Sequence, residues 1–218
     1  MGGAIVTWGG WDGHEPDKVA ALFAGVLRAE GMAVEVTDSL GCFDDAARLA
    51  AYDLIVPVWT MSKIAKEQAE NVAAAVAGGV GMAGCHGGMC DSFREEVLWQ
   101  FVTGSQWVAH PGNDGVNYRV RMVSDDALVL GIEDFEVSTE QYYLHVDPGV
   151  KVLAVTDFPV FAGPHAVNGT VAMPVAYTKG WGDGRVYYNS LGHKANVIDH
   201  GAAREMLRRG MVWAARRG

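Results

Sequence analysis

Along the first hundred positions, short solid runs of apolar residues alternate with stretches where apolar residues recur at helical spacing. The runs are Ala4 to Trp8, Ala33 to Thr37, Leu54 to Trp59 and the segment from Gly81 that ends in Cys85-His86. Such runs predict parallel strands, and Leu54 to Trp59 reads as one covered on both faces, although Pro57 within it is unusual for that setting. Between them, Val19, Leu22, Phe23, Val26 and Leu27 predict a helix with Pro16 in its first turn and Gly31 at its end. Ala65, Ala69, Val72 and Val76 predict another, with Ser62 as its cap, and Ser92 with Glu95 has capping-box spacing for a third. Four successive β-α units imply a parallel sheet joined by right-handed crossovers.

The second half has a different texture. Asn117 to Val123, Phe135 to Thr139, Tyr142 to Val146, Lys151 to Thr156 and Val171 to Tyr177 predict strands with few helices between them. Gly182-Asp183-Gly184 predicts a hairpin leading into Arg185 to Tyr188. A last helix is expected from about Gly201 to Ala214, with Met206, Leu207 and Met211 inward and arginines near its C-terminal end. No repeat or linker interrupts the chain, so residues 1–218 read as one α/β domain. Its expected architecture is a three-layer αβα, doubly wound, mostly parallel sheet with β-rich insertions in the second half.

Composition narrows the function classes. Half of the 218 residues are hydrophobic, and the mean hydropathy of +0.07 is that of a globular chain with a full core. No apolar run approaches a membrane span, so no membrane partner is expected. The net charge of −9 argues against nucleic acid as a partner. The chain opens directly into a strand-like run with no basic leader, so a cytoplasmic location is expected. Three cysteines, Cys42, Cys85 and Cys90, without Cys-x-x-Cys spacing, predict neither a disulfide framework nor a zinc ribbon. An apolar outer helix face could support a homo-oligomer, but nothing in the sequence requires one.

The candidate chemistry gathers where strands end. Gly84-Cys85-His86-Gly87-Gly88 is a strand-to-helix elbow, which would hold a side chain at the carboxyl edge of the sheet. It can be framed on His86 or on Cys85 as the working residue, and the spacing leaves both open. A Cys85 thiolate would gain from a helix start and a nearby imidazole, whereas a buried cysteine is an inert small hydrophobe. His14 follows the first strand, His110 precedes Pro111, Glu140 stands in Thr139-Glu140-Gln141-Tyr142-Tyr143, and His193 ends Leu191-Gly192-His193. A doubly wound fold would bring these ends to one rim. There His86, His193 and Glu140 could bind a divalent transition metal (zinc, manganese, iron or nickel) or move protons near neutral pH. His165 and His200 read as surface or loop residues. Trp59 and Tyr142, with His14 and His110, are expected to line the cleft, where aromatic faces beside polar groups suit a carbohydrate.

Taken in order, Gly13-His14, the elbow, Gly104 with His110-Pro111, Asp134-Phe135, Glu140-Gln141-Tyr142, Tyr177 with Gly184-Arg185-Val186-Tyr187, and Leu191-Gly192-His193 resemble the ThuA-like (trehalose utilisation) family. The resemblance covers most of the chain. It implies the flavodoxin-like sheet of class I glutamine amidotransferase-like proteins, His86 as the functional elbow residue, and a role in carbohydrate metabolism. It also implies a sugar or oxidised (3-keto) sugar as substrate, handled by metal-assisted or His/Glu acid-base chemistry. Ala83-Gly84-Cys85-His86-Gly87 also resembles the elbow of PfpI-like cysteine hydrolases, which would make Cys85 the nucleophile. A non-catalytic sugar-binding module is a third expectation.

Overall fold

The computed structural model describes residues 2–199 and 201–216. His200 therefore lies outside the described residues. The strands are β1 (Gly3–Gly10), β2 (Ala33–Thr37), β3 (Leu54–Thr60), β4 (Gly81–Cys85), β5 (Ser105–Ala109), β6 (Val116–Met122), β7 (Phe135–Thr139), β8 (Tyr143–Val146), β9 (Lys151–Phe158), β10 (Val171–Trp181) and β11 (Gly184–Asn189). The helices are α1 (Pro16–Ala29), α2 (Ala46–Ala50), α3 (Lys66–Ala77), α4 (Gly87–Cys90), α5 (Val97–Thr103), α6 (Ala195–Ile198) and α7 (Gly201–Ala214).

Nine strands form one sheet in the order β2-β1-β3-β4-β11-β10-β9-β6-β7. The first five run parallel, and the last four continue the sheet antiparallel. The α/β, mostly parallel centre and the β-rich second half are as the hydrophobic pattern predicts. The chain leaves β1 toward β2 on one side and reaches β3 on the other, so the carboxyl ends of β1 and β3 flank a topological switch point.

Strand alternation divides the core into two layers. Ala4, Val6, Ala83, Cys85 and Tyr187 face α1 and α7, packing with Phe23, Leu27, Met206 and Met211. Ile5, Met82, Val186 and Tyr188 face the other side, with Val72 and Val76 of α3 and Trp99 of α5. Met206, Leu207 and Met211 are all fully buried, as their spacing on the last helix predicts. Among the described residues, no helix is long and apolar enough to cross a membrane.

Two helix starts differ from expectation, both because nearby backbone groups are already engaged. Met61 N–H donates to Asp91 C=O at 2.8 Å and Ser62 N–H to Ser92 C=O at 2.8 Å, which pins residues 61–65 as a ledge. The helix therefore begins at Lys66, where the Gln68 side chain accepts from Ala65 N–H, and Ser62 does not cap it. The Ser92 hydroxyl turns back to the carbonyls of Gly88 and Met89, and α5 starts later, on Glu96. The pattern also missed β5, which pairs with β8 in a separate two-stranded ribbon beside the sheet.

Candidate active site

At the elbow, His86 has φ 48° and ψ −145°, a left-handed conformation that a non-glycine residue occupies at a cost of about 1–3 kcal/mol. This conformation turns its side chain out of the strand alternation and toward the carboxyl edge of the sheet. Gly87 follows because His14 packs against it: an added Cβ would lie 2.8 Å from His14 Cε1. Cys85 keeps the strand register and points the other way. Its Sγ lies so close to Gly192 that a Cβ there would sit 2.7 Å away. Burial pushes the Cys85 thiol well above its usual range. Of the two elbow frames, only the one centred on His86 presents its side chain to the cluster at the cleft.

Four side chains from distant parts of the sequence converge there. His14 comes from the turn after β1, His86 from the elbow after β4, Glu140 from the end of β7, and His193 from the loop after β11. One donor atom from each lies within 4.8 Å of all the others, and all four residues are buried. Glu140 Oε2 sits 3.3 Å from His86 Nε2 and 3.4 Å from His193 Nδ1. None of these three atoms has an aligned hydrogen-bond partner. Buried polar atoms without partners are costly, so three of them aimed at one point need an explanation.

The outer nitrogens of two of these rings are held. His86 Nδ1 bonds Tyr142 Oη at 2.9 Å, and His14 Nδ1 bonds Thr60 Oγ1 at 2.9 Å. His193 Nε2 faces Asp114 Oδ2 at 3.6 Å, and Asp114 is itself bound by Lys194 Nζ at 2.7 Å. While Asp114 lies near the back of the His193 ring beyond hydrogen-bond distance, the His86 and His14 rings are thus each oriented by a hydroxyl behind them and offer their remaining nitrogens inward. That is the arrangement by which proteins fix histidine ligands of a metal. Three imidazoles and a carboxylate are a donor set suited to a divalent transition ion. The site therefore fits such an ion on geometry and on donor chemistry alike.

Electrostatics agree with neutral His14 and His86 beside an ionised Glu140. Burial, helped by the charges of His86 and His193, lowers the His14 pKa to about 3. Burial lowers His86 to about 4, although the Glu140 carboxylate pulls the other way. Burial alone would raise Glu140, but the adjacent His193 and His86 outweigh it and hold the carboxyl below its usual range. The two histidines are thus harder to protonate folded than unfolded, where their value is near 6.5. Their contribution to stability is complete above pH 6.5 and is lost as pH falls toward about 4 and then 3. Glu140, also lowered, acts in the same direction. The metal-free protein should show a melting temperature that declines as pH drops below 6.5. A His14→Gln, His86→Gln double variant should flatten that decline, and an unchanged slope would contradict the assignment.

The cluster forms the floor of a cleft of about 500 Å³. His110, half-buried, lines it with Nδ1 3.8 Å from Glu140 Oε1, on the other carboxylate oxygen from the cluster. The Tyr142 ring lies against His86, centroids 3.9 Å apart and tilted by 35°, and beyond it Trp107 stands 6.3 Å from Tyr142. On the opposite flank Trp11 meets His14 edge-on at 4.7 Å. Buried Gln141 steadies the Glu140–Tyr142 segment: its amide donates to Thr156 Oγ1 and the Asp157 carbonyl, and its oxygen accepts from Val160 N–H.

The structure thus brings His14, His86, His110, Glu140, Tyr142 and His193 together. Trp59, expected to line the cleft, does not: its ring packs over Gly9, where a Cβ would come within 2.8 Å. His165 stacks on Phe158 at 5.2 Å, away from the cluster. Sequence reasoning gave no role to Thr60, Asp114 or Arg94. Thr60 ends a strand at the switch point and Asp114 stands four residues after His110, so strand-end position was the available signal for the first, and neither residue type is distinctive.

The family described as ThuA, trehalose utilisation, matches the chain over residues 4–214. No curated protein matches the sequence. Among solved structures, a ThuA-like protein of Bacteroides uniformis shares 15% identity at TM-score 0.78, covering 98% of this chain and 91% of its own. A ThuA-like protein of Parabacteroides merdae shares 16% identity at TM-score 0.71, covering 98% and 89%. A β-galactosidase of Bacillus circulans contains a similar fold at 14% identity and TM-score 0.63, matching 97% of this chain but only 30% of that enzyme.

Proposed function

The chain belongs to the ThuA, trehalose utilisation, family, which gives it a carbohydrate-related role, and from that premise we propose that it is an enzyme acting on a sugar or an oxidised (3-keto) sugar. The observation that carries the proposal is the buried His14, His86, Glu140 and His193 set, in which three inward donor atoms lack partners and the outer nitrogens of His14 and His86 are held. These four residues would hold a divalent transition metal. Such an ion supplies Lewis-acid polarisation of a sugar carbonyl or hydroxyl.

The chain's own residues account for the rest. Tyr142 and Thr60 hold the His86 and His14 imidazoles in orientation. Trp11 and Trp107 offer apolar surface to the faces of a sugar ring. His110 lies outside the four-residue set, is partly open to the cleft, and is close enough to Glu140 to be oriented by it. We assign it the proton transfer, taking a proton from the carbon beside the carbonyl and returning it in an isomerisation or epimerisation. A cysteine-hydrolase reading finds less support, because the Cys85 thiol is buried on the far side of the elbow. All three cysteines are free and buried, which fits reduced thiols in a cytoplasmic setting.

The test is solvent-deuterium uptake. A 3-keto sugar incubated with metal-loaded protein in D2O should gain deuterium at the carbon next to the carbonyl. No uptake across a panel of keto sugars that do bind would leave a sugar-binding module in its place.

A further inference from the structure

The cleft over the cluster holds a cation that the chemistry assigned so far does not use. Arg94, in the turn between α4 and α5, lines it together with Asp91 and Trp107. We propose that Arg94 binds a carboxylate of the substrate, so that the substrate is a sugar acid and not a neutral sugar. The proposal rests on the carbohydrate reading given above and narrows its substrate class.

Arg94 is held in place without being used up. Its guanidinium lies 4.5 Å from the Trp107 ring centroid, and buried Asp91 accepts from Nε at 2.5 Å and from Nη2 at 2.9 Å. Those two bonds engage one edge of the planar group. Its Nη1 makes no hydrogen bond among the described residues, and the side chain is 45% exposed. The edge formed by Nη1 and the second Nη2 hydrogen is a fork that matches the two oxygens of a carboxylate. The support is anchored in turn: the Asp91 carbonyl accepts from Met61 N–H at 2.8 Å, and the Gln100 amide donates to the Arg94 carbonyl at 2.8 Å. A guanidinium fixed by an aromatic face and a buried carboxylate loses little further freedom when an anion arrives.

Charge balance selects the same partner. Asp91 offsets Arg94, and Asp114 is bound by Lys194 at 2.7 Å. Among the aspartates, glutamates, lysines and arginines that line the cleft, this leaves Glu140 alone without a cation. A divalent ion held by the four-residue set would turn that single negative charge into a single positive one. One carboxylate would neutralise it, whereas a phosphate dianion would overshoot it. A neutral sugar would leave both the charge and the fork unmatched.

Calorimetric titration of metal-loaded protein with glucose, galactose, glucuronate, galacturonate, gluconate and glucose 6-phosphate tests this. At least one acid should bind about tenfold or more tightly than its neutral parent, as one charge-assisted pair would give. A uronate bound ahead of gluconate would put the carboxylate at C6, and the reverse order would put it at C1. Arg94→Met keeps an unbranched apolar stem beside Trp107. It should bring the acid-to-neutral affinity ratio to near one, with metal content by elemental analysis unchanged. Arg94→Lys should keep only part of the preference, because an ammonium cannot make the paired bonds. If Arg94→Met fails to fold with Asp91 unpaired, the Arg94→Met, Asp91→Asn double variant removes both charges and should lose the preference equally. A preference that survives in these variants would put the carboxylate on the metal or on Lys194 and overturn the assignment. Equal binding of acids and neutral parents by the wild type, or preference for the phosphate, would also overturn it and leave the proposed function standing. Failure of every compound to bind would instead remove the carbohydrate reading itself, and the carboxylate site with it.

Discussion

Protein incubated with zinc, manganese, iron or nickel and then desalted should retain close to one equivalent of metal, and His86→Ala, His193→Ala and Glu140→Ala should each lose it. The expectation follows from the cost of the alternative. Without an ion, His86 Nε2, His193 Nδ1 and Glu140 Oε2 stand buried and unpartnered within one small space. Buried polar atoms left without partners each cost on the order of 1–3 kcal/mol. A bound ion satisfies all of them at once, while burial keeps His14 and His86 in the neutral form that coordinates. Removing one of four donors should weaken retention by at least ~100-fold. Removing a group behind a donor, as in Tyr142→Phe or Asp114→Asn, should cost roughly 10–100-fold. Elemental analysis of the dialysed variants distinguishes these classes. A wild type that retains no metal under any loading condition would eliminate the site, and equal retention in wild type and His86→Ala would place the metal elsewhere.

His110→Gln should keep the metal and lose the reaction. Its ring lines the cleft next to Glu140 without belonging to the four-residue set. If it carries the proton, glutamine in its place removes the only step that an amide cannot perform. Deuterium uptake into a keto sugar should then fall by roughly 10²–10⁴-fold, the range typical of a lost general acid-base residue. Sugar affinity should change far less, because glutamine retains hydrogen-bonding capacity. Uptake within a few-fold of wild type, with metal retained, would exclude His110 and return the proton to Glu140. Loss of both metal and uptake would mean that His110 belongs to the ligand set.

Much of this molecule is legible in its sequence because its signals are local. The runs at β1, β3 and β4, the helical spacing of α1 and α7, and the Gly-Asp-Gly hairpin each encode their element within a dozen residues. The elbow was visible for the same reason, as were the histidines at strand ends, since a parallel sheet places the ends of its strands on one edge. The choice between Cys85 and His86 was not local. Strand alternation sends Cys85 into the layer beneath α1 and α7, and a single positive φ at the next residue sends His86 the other way. Trp59 was misplaced because a strand-end position does not reveal that Gly9, on the neighbouring strand, leaves room for its ring.

The part that Thr60, Tyr142 and Asp114 play behind the imidazoles was hidden for a related reason, although Tyr142 itself was expected in the cleft. Thr60 reaches His14 across 46 residues, Tyr142 reaches His86 across 56, and Asp114 reaches His193 from the opposite half of the sheet. Their side-chain types are common, and only strand order and register bring them to bear on a ring nitrogen. The sequence alone determined the sheet, its carboxyl edge and the residues able to do chemistry there. The tertiary structure decided which nitrogen each histidine offers and which donors meet, because those depend on pairings between strands far apart in the chain.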